Sequence, residues 1–189
     1  MENVIMKKIL LLLLFSISFF ALAQESAFVI SNKQVVWQRI YESAKTPAEV
    51  KNILLATGKL KFTSEDANSL TGEISDFIMD FKGAGYTKMG TPLFLTNNSK
   101  YFGNFKIEFK EGRYRVTATN LKFKGESISI YSGGLGFSSS GDDNLETYVL
   151  TNDREYFRGS FEGKNSRIIN YSFAQLFDVS KYTKTDDNW

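Results

Sequence analysis

Residues 101–123 read YFGNFKIEFKEGRYRVTATNLKF, two runs of alternating apolar and polar side chains on either side of Glu111-Gly112. Glycine tolerates the positive φ that a two-residue turn requires, so the segment predicts an antiparallel hairpin that turns at Glu111-Gly112. This turn also fixes the register, because the strand residues must pair outward from it. The predicted pairs are Lys110 with Arg113, Phe109 with Tyr114, Glu108 with Arg115, Ile107 with Val116, and Phe105 with Ala118.

The hairpin has one apolar and one polar face, because successive side chains of a strand point to opposite sides. The apolar face comprises Phe105, Ile107, Phe109, Tyr114, Val116 and Ala118. The polar face comprises Lys106, Glu108, Lys110, Arg113, Arg115 and Thr117. We therefore expect a sheet that is covered on one side and exposed to solvent on the other.

Basic side chains on the polar face form the candidate binding surface of this chain. They are Lys106, Lys110, Arg113 and Arg115, with Lys122 and Lys124 beyond them. The simpler interpretation is a solvated strand face whose charges discourage edge pairing; the alternative is contact with an anionic glycan or lipid headgroup. Nucleic acid is not expected as a partner, because this face lacks stacking aromatics and Glu108 interrupts its positive charge.

Upstream of the hairpin, the sequence predicts a strand and then a helix. Residues 34–41, QVVWQRIY, are rich in β-branched and aromatic residues, which favours a first strand. Thr46 and Glu49 then have the spacing of a capping box, and Pro47 suits the first helical position. We expect the helix to span about 47–57.

The segment between this helix and the hairpin predicts a strand over 71–81 that is partly covered on both faces. Phe77, Met79 and Phe81 are expected on one face, and Ile74 and Ile78 on the other. We also expect both Met79 and Met89 to lie in the core, since methionine is an apolar filler of irregular gaps.

The chain after the hairpin predicts a loop, a short strand and a second helix. Glycine and serine dominate residues 132–141, a composition typical of a mobile surface loop. Residues 146–151 predict a further short strand. An amphipathic helix is expected over about 166–181, because apolar residues recur there at helical spacing. These residues are Ile169, Phe173, Leu176 and Phe177.

Two of these segments, VVWQRIY at 35–41 and GRYRVTATNL at 112–121, resemble a family of exported bacterial domains of unknown function with a TATA-binding-protein-like (TBP-like) fold. The similarity covers about residues 35–124. It implies an α+β fold in which a curved antiparallel sheet of about five or more strands carries the two helices on one face. It implies no reaction, and a TBP-like fold by itself does not imply DNA binding.

The N-terminal segment, residues 1–23, has the composition of a signal peptide. Lys7-Lys8 precedes an almost wholly apolar run, and Ala21-Leu22-Ala23 offers small residues at the positions that a signal peptidase reads. We expect cleavage between Ala23 and Gln24. The apolar run is shorter than a membrane-spanning helix requires, so no transmembrane segment is expected in the mature chain.

The mature chain is expected to form one TBP-like domain over 24–182, followed by a flexible tail over 183–189. Because the sequence contains no Cys, it offers no thiol for a lipid anchor at the cleavage point. The expected location is therefore the periplasm or the medium, without lipid attachment.

The absence of both Cys and His excludes several kinds of catalytic site. No Ser-His-Asp or Cys-His triad can form, and a zinc site would have to consist of carboxylates alone. The remaining candidate pair is Asp76 with Asp80, four residues apart and expected on one face of a strand. No third group is marked to tune the pKa of either carboxyl, so no enzymatic activity is expected.

Two further motifs have simpler interpretations than ligand binding. Asp142-Asp143-Asn144 and Glu146 offer oxygen ligands for calcium, but they lack the spacing of a dedicated loop, so a solvated turn is favoured. Gly133-Gly134-Leu135-Gly136 lacks the Gly-Lys-Ser/Thr of a phosphate-binding loop and indicates flexibility instead. No metal or cofactor is expected.

Taken together, these features predict a non-enzymatic binding or interaction module of the cell envelope. Its partner would be an envelope protein, a glycan or a lipid. One alternative is a carrier of a small apolar ligand, because the 28 aromatic residues could line a pocket between helix and sheet. A third, a carboxylate-based hydrolase, depends on Asp76 and Asp80 converging in a concave pocket.

Overall fold

The computed structural model describes residues 27–96, 98–131, 134–139 and 143–182. The predicted signal peptide at 1–23, the cleavage position at Ala23-Gln24 and the tail at 183–189 lie outside the described residues. The helices are α1 (Pro47–Leu55), α2 (Leu145–Val149) and α3 (Ser166–Phe177). The strands are β1 (Phe28–Ser31), β2 (Gln34–Glu42), β3 (Leu60–Asp66), β4 (Ser69–Phe77), β5 (Lys100–Lys110), β6 (Arg113–Lys124), β7 (Glu126–Tyr131), β8 (Gly134–Ser139) and β9 (Asp143–Asn144).

A seven-stranded antiparallel sheet forms the centre of the fold. Its order is β1-β2-β6-β5-β4-β3, and β9 pairs with the end of β6. The sheet is curved and open, so β1 and β3 form its two edges. Helices α1 and α3 contribute their buried faces to the same core as the sheet. The predicted α+β class, with a curved antiparallel sheet and two long helices, is confirmed.

The hairpin over 101–123 is confirmed with the predicted register. All five predicted residue pairs are present, and the turn at Glu111-Gly112 places Gly112 at a φ of 71°. The predicted apolar face lies in or against the core, and the four basic side chains of the polar face are exposed. A residue with a Cβ is strained at that φ, so glycine permits the tight turn that sets the register.

Helix α1 begins as its capping signals predict. The Thr46 hydroxyl accepts a hydrogen bond from the Glu49 backbone N–H, and the Glu49 carboxylate accepts one from the Thr46 backbone N–H. Pro47 takes the first helical position. The helix ends at Leu55, two residues before the predicted end, and Gly58 follows with a φ of 65°.

The C-terminal helix α3 packs its aromatic side chains against the centre of the sheet. Phe177 lies 5.9 Å from Trp37 of β2 and 5.5 Å from Phe105 of β5, measured between ring centroids. The Tyr114 hydroxyl donates to the Phe177 carbonyl oxygen over 2.6 Å and accepts from the Val179 N–H over 3.3 Å. These contacts fix the end of the helix over the middle of the sheet.

The predicted helix over 166–181 is confirmed as α3, but it ends at Phe177. Asp178 is extended, with φ −83° and ψ 96°, and a short 3₁₀ turn follows over Val179–Lys181. The Asp178 carboxylate accepts hydrogen bonds from the Ser180 N–H and hydroxyl. This local capping of the turn competes with further α-helix.

The predicted first strand is confirmed as β2, but strand β1 before it was not predicted. The two strands meet at Asn32-Lys33, whose φ values are 51° and 62°. Positive φ at both positions is the geometry of the two-residue turn that matches the twist of a hairpin. Asn32 is the sequence signal for this turn, since asparagine tolerates that conformation.

The predicted strand over 71–81 is wrong in its end and in its faces. Strand β4 ends at Phe77, directly after Asp76, which has a φ of 50°. Ile74 is buried on the core face, while Met79 and Phe81 reach the core from the turn beyond the strand. The break at Asp76 shifts the pairing with β5, so the alternation assumed over the whole segment does not continue.

The prediction that Met89 lies in the core is also wrong, because its side chain is 92% exposed. It lies between Gly85 and Gly90, which have φ values of 85° and 83°. These turns hold the segment outside the sheet, where no element covers the methionine.

Residues 146–151 do not form the predicted strand, since most of them belong to helix α2. The buried Glu146 carboxylate accepts a hydrogen bond from the Val35 N–H over 3.0 Å. Val35 precedes the first β2–β6 pair, Trp37 with Ala118, so the carboxylate satisfies a β2 donor that β6 does not reach.

The predicted loop over 132–141 is wrong for residues 134–139, which form β8. Strand β8 pairs with β7 in a separate two-stranded ribbon, from Glu126 opposite Ser139 to Tyr131 opposite Gly134. The ladder gives backbone groups of the glycine- and serine-rich segment hydrogen-bond partners that composition alone does not reveal. Among the residues that the structure describes, no helix is both long enough and apolar enough to span a membrane.

We expect Tyr114→Phe to lower the free energy of unfolding by about 1–3 kcal/mol, because it leaves the buried Phe177 carbonyl and Val179 N–H without their hydroxyl partner. Urea unfolding followed by circular dichroism measures this loss. Tyr156→Phe is the matched control, since Tyr156 is 67% exposed and should change stability by less than about 0.5 kcal/mol. Equal losses in the two variants would contradict the role assigned to Tyr114.

Candidate binding surface

The side of the sheet opposite α1 and α3 carries polar side chains and is called the open face here. It consists of the outward-pointing residues of β2 to β6. Among them are Gln38, Ile40, Thr71, Glu73, Asn104, Lys106, Glu108, Lys110, Arg113, Arg115, Thr117 and Thr119. All four predicted binding residues belong to this face. Alternation within strands places them there, and the aromatic core keeps the helices on the other side.

The turn end of the open face contains a groove of about 550 Å³, called the hairpin groove here. Its walls are the β3–β4 turn and the end of the β5–β6 hairpin. It is lined by Ile40, Asp66, Ala67, Asn68, Ser69, Glu108, Phe109, Lys110, Arg113 and Arg115. Ile40 is 55% exposed and supplies an apolar side chain beside the charges.

Glu108 is held between two of the predicted basic residues. One carboxylate oxygen accepts from the Lys106 ammonium over 3.1 Å, and the other accepts from Nη2 and Nε of Arg115 over 2.7 and 3.2 Å. The Arg115 guanidinium, with Lys106 as the second cation, holds the pKa of the Glu108 carboxyl below its ordinary value. The single carboxylate offsets one of the two positive charges of Arg115 and Lys106.

Lys110 and Arg113 remain as a second pair of cations on the same face. They lie directly opposite each other across the hairpin, where like charges destabilise a strand pair. No ion pair joins either of them to a carboxylate within the described ranges, although Glu42 is the β2 neighbour of Arg113. An anion bound between the two cations would relieve their repulsion.

A second concave region, called the central depression here, lies beside the hairpin groove and measures about 660 Å³. Half of its twelve lining residues carry a hydroxyl or amide side chain. These are Gln38, Thr63, Thr71, Asn104, Thr117 and Thr119, accompanied by Gly72, Glu73, Phe105, Lys106, Glu108 and Arg115. Glu108 and Arg115 line both regions, so the two are continuous.

A third concave region lies beside α3 and measures about 300 Å³; it is called the side pocket here. It is lined by Thr57, Lys59, Phe77, Ile78, Asp80, Ser172, Gln175, Leu176 and Tyr182. Its apolar side chains suit a small apolar ligand better than those of the open face. All three regions are open to solvent.

The carboxylates singled out from the sequence do not converge. Asp76 forms an exposed ion pair with Lys100 over 3.2 Å, whereas Asp80 lies beyond the strand and accepts a hydrogen bond from the Gly83 N–H over 2.8 Å. Asp80 lines the side pocket and Asp76 does not. The expectation that they share a strand face is wrong, because the strand ends between them.

The candidate calcium ligands are also separated. Asp142 lies outside the described residues. Asp143 accepts a hydrogen bond from the Tyr148 hydroxyl over 2.9 Å, and Glu146 is buried against Val35. In the described part of the chain, no three Asp or Glu side chains are grouped so that they could hold a metal ion.

Sequence reasoning missed the residues that complete the hairpin groove. Ile40 could have been found, because Val35, Trp37 and Tyr41 share the core face and Ile40 alternates with them. The β3–β4 turn gave no such signal, since only the strand order brings it beside the hairpin.

Lys122 and Lys124 lie at the other end of β6, where the Lys124 ammonium is 5.7 Å from the centroid of the Phe102 ring.

The chain matches no protein-family model and no curated protein. Solved structures similar to it include a DUF4468 family protein from Bacteroides ovatus, with 11% identity and a TM-score of 0.49 over 87% of this chain and 95% of that one. A TBP-like protein from Parabacteroides distasonis has 13% identity and a TM-score of 0.43 over 83% of this chain and 98% of that one. The first is described by a family of unknown function and the second as TBP-like, the two terms of the resemblance given for residues 35–41 and 112–121. Similarity at this level concerns the fold and not the function.

We expect the pKa of Glu108 to lie below the ordinary glutamate value and to rise more in Arg115→Ala than in Lys106→Ala, because Arg115 is the stronger partner. A carboxyl ¹³C NMR titration measures it. Since the folded pKa is lowered, the network stabilises the fold above the unfolded-state pKa and loses its effect as the pH falls through the folded one. Lys82→Ala is the control and should leave the pKa of Glu108 unchanged. An unchanged titration midpoint of Glu108 in Arg115→Ala would contradict the role assigned to Arg115.

Proposed function

We propose that this chain is a non-enzymatic binding domain of the cell envelope and that its ligand site is the hairpin groove with the adjoining part of the open face. The observation that carries the proposal is the pair Lys110 and Arg113. These two cations face each other above an open groove without a carboxylate partner among the described residues. Such a pair favours an acidic ligand.

The rigidity of the surrounding sheet supports this choice of site. The hairpin pairs with β2 on one side and β4 on the other, so its backbone donors and acceptors are used within the sheet. The opposite face is buried against the helices. A ligand must therefore contact side chains, and these project from strands whose positions are fixed before binding.

The distribution of reactive groups supports a role without catalysis. The sequence has no Cys or His, and the candidate carboxylates Asp76 and Asp80 are separated by the end of β4. Glu108, one of the two carboxylates that line the groove, accepts hydrogen bonds from two cations, and its lowered pKa disfavours a proton-transfer role at neutral pH. The groove is better suited to holding a ligand than to transforming it.

A second candidate function is the transport of a small apolar molecule in the side pocket. Phe77, Ile78, Leu176 and Tyr182 supply the apolar lining that favours it. The hairpin groove remains our preferred site, because the side pocket is smaller and is not lined by a pair of facing cations.

Export to the envelope is the part of the proposal that depends on residues 1–23. Removal of this segment would leave the mature domain over 24–182. We expect the full chain, produced in a Gram-negative bacterium, to yield a protein whose N-terminal residue is Gln24, as determined by N-terminal sequencing of the periplasmic fraction. Ala23→Arg should block processing, because signal peptidase requires a small residue there. Ser26→Ala is the control, and an uncleaved cytoplasmic product would contradict export.

The binding site can be mapped by ¹⁵N NMR on the chain over residues 24–189. We expect an acidic oligosaccharide, an acidic peptide or an anionic lipid to shift the amide signals of the open face around Ile40, Lys110 and Arg113, because the free cations lie there. The double variant Lys110→Ala/Arg113→Ala should weaken the effect.

Lys82→Ala/Lys88→Ala is the matched control, since it removes the same charge from exposed positions outside the sheet. Shifts confined to the side pocket would favour the carrier function. Turnover of a glycan or ester that is lost in Asp76→Asn or Asp80→Asn would refute the non-enzymatic proposal.

A further inference from the structure

We infer that the ligand of the open face is an acidic oligosaccharide, with a carboxylate or sulfate group bound between Lys110 and Arg113 and its hydroxyls over the central depression. This inference depends on the proposed function, because it names the ligand class of the same site. It follows from the charge of the hairpin groove, the chemistry of the central depression and the distance between them.

The hairpin groove supplies the recognition of the anion. Lys110 and Arg113 are register partners, so their side chains leave the sheet side by side at the rim. The planar guanidinium of Arg113 can donate two parallel hydrogen bonds to a carboxylate, and the Lys110 ammonium adds a point charge. Asp66 on the opposite wall limits the net positive charge of the groove.

The central depression supplies partners for neutral hydroxyl groups. Threonine hydroxyls and the side-chain amides of Gln38 and Asn104 both donate and accept hydrogen bonds, as sugar hydroxyls do. One internal bond is present, from Nε2 of Gln38 to the Thr117 hydroxyl over 3.3 Å. An acyl chain placed over this region would desolvate its polar groups without compensation, so a lipid fits it poorly.

The distance between the two regions requires an extended ligand. Lys110 and Asn104 are six residues apart on β5, which corresponds to about 20 Å along a strand. A single sugar is too short for this span, whereas a short oligosaccharide can follow the strand. Between the two ends it would pass over Arg115 and Glu108, whose charges neutralise each other and therefore do not repel an acidic chain.

Isothermal titration calorimetry on residues 24–189 tests the inference with hexagalacturonate and a heparin hexasaccharide as acidic probes. Maltohexaose is the neutral oligosaccharide, and phosphatidylglycerol vesicles are the acidic lipid. We expect at least one acidic oligosaccharide to bind more tightly than maltohexaose and the vesicles. Added salt should weaken this binding, because the contacts of Lys110 and Arg113 are exposed and screened.

Three double variants separate the contributions of the cations and of the threonine hydroxyls to oligosaccharide binding. Lys110→Ala/Arg113→Ala should weaken binding about fivefold, as expected for two exposed charge contacts. Thr71→Val/Thr119→Val should weaken it about twofold or more without a change of charge, since each valine keeps the β-branched shape but lacks the hydroxyl. Lys82→Ala/Lys88→Ala should bind like the wild type. Circular dichroism and urea unfolding show that each variant is folded.

The outcomes distinguish this inference from the proposed function. Binding of vesicles but of neither acidic oligosaccharide, with loss in Lys110→Ala/Arg113→Ala, would overturn the inference and leave the open face as the binding site. Tight oligosaccharide binding that is unchanged in Thr71→Val/Thr119→Val would also overturn it, because binding would then depend on the charged side chains and not on the threonine hydroxyls. If no probe binds and none shifts the amide signals of the open face, the inference and the proposed function both fail.

Discussion

The contact between the C-terminal helix and the sheet is the interaction on which the rest of the structure depends. Aromatic side chains of the sheet pack against α3, and their polar ends donate hydrogen bonds to it: Trp37 to the Asn170 side chain, Tyr41 to the Ala174 carbonyl and Tyr114 to the Phe177 carbonyl. A helix ends with unsatisfied carbonyls, so the two tyrosine hydroxyls satisfy carbonyls of the last turn, and all three donors fix the position of the helix. Burial raises the pKa of Tyr41 and Tyr114, which keeps both hydroxyls protonated and able to donate.

This packing also determines where a ligand can bind. Because the helices cover one side of the sheet, the residues that alternate with the core aromatics must face solvent. The glycine at position 112 sets the hairpin register, and the register places Lys110 opposite Arg113 and Glu108 opposite Arg115. The same two-residue turn therefore creates one neutralised ion pair and one pair of facing cations within a few residues.

The parts of the fold that were predicted correctly are those in which local sequence and tertiary structure agree. The hairpin has a turn residue and strict alternation, and α1 has a capping box, so each is specified within a short segment. The errors have more than one cause. Residues 146–151 become helical where Glu146 binds the distant Val35. Residues 134–139 pair with β7, their neighbour in the chain, although their glycine- and serine-rich composition gives no strand signal. Met89 is apolar, but no element reaches it.

The candidate site divides in the same way. The sequence alone determined the four basic residues, their common face and the exclusion of Cys- and His-based chemistry, because alternation and composition require no tertiary information. Only the tertiary structure decided that Ile40 of β2 and the β3–β4 turn enclose a groove beside Lys110 and Arg113. The physical reason is that the groove is formed by β2, the β3–β4 turn and the β5–β6 hairpin, which are separated in the chain and are brought together by sheet order and curvature.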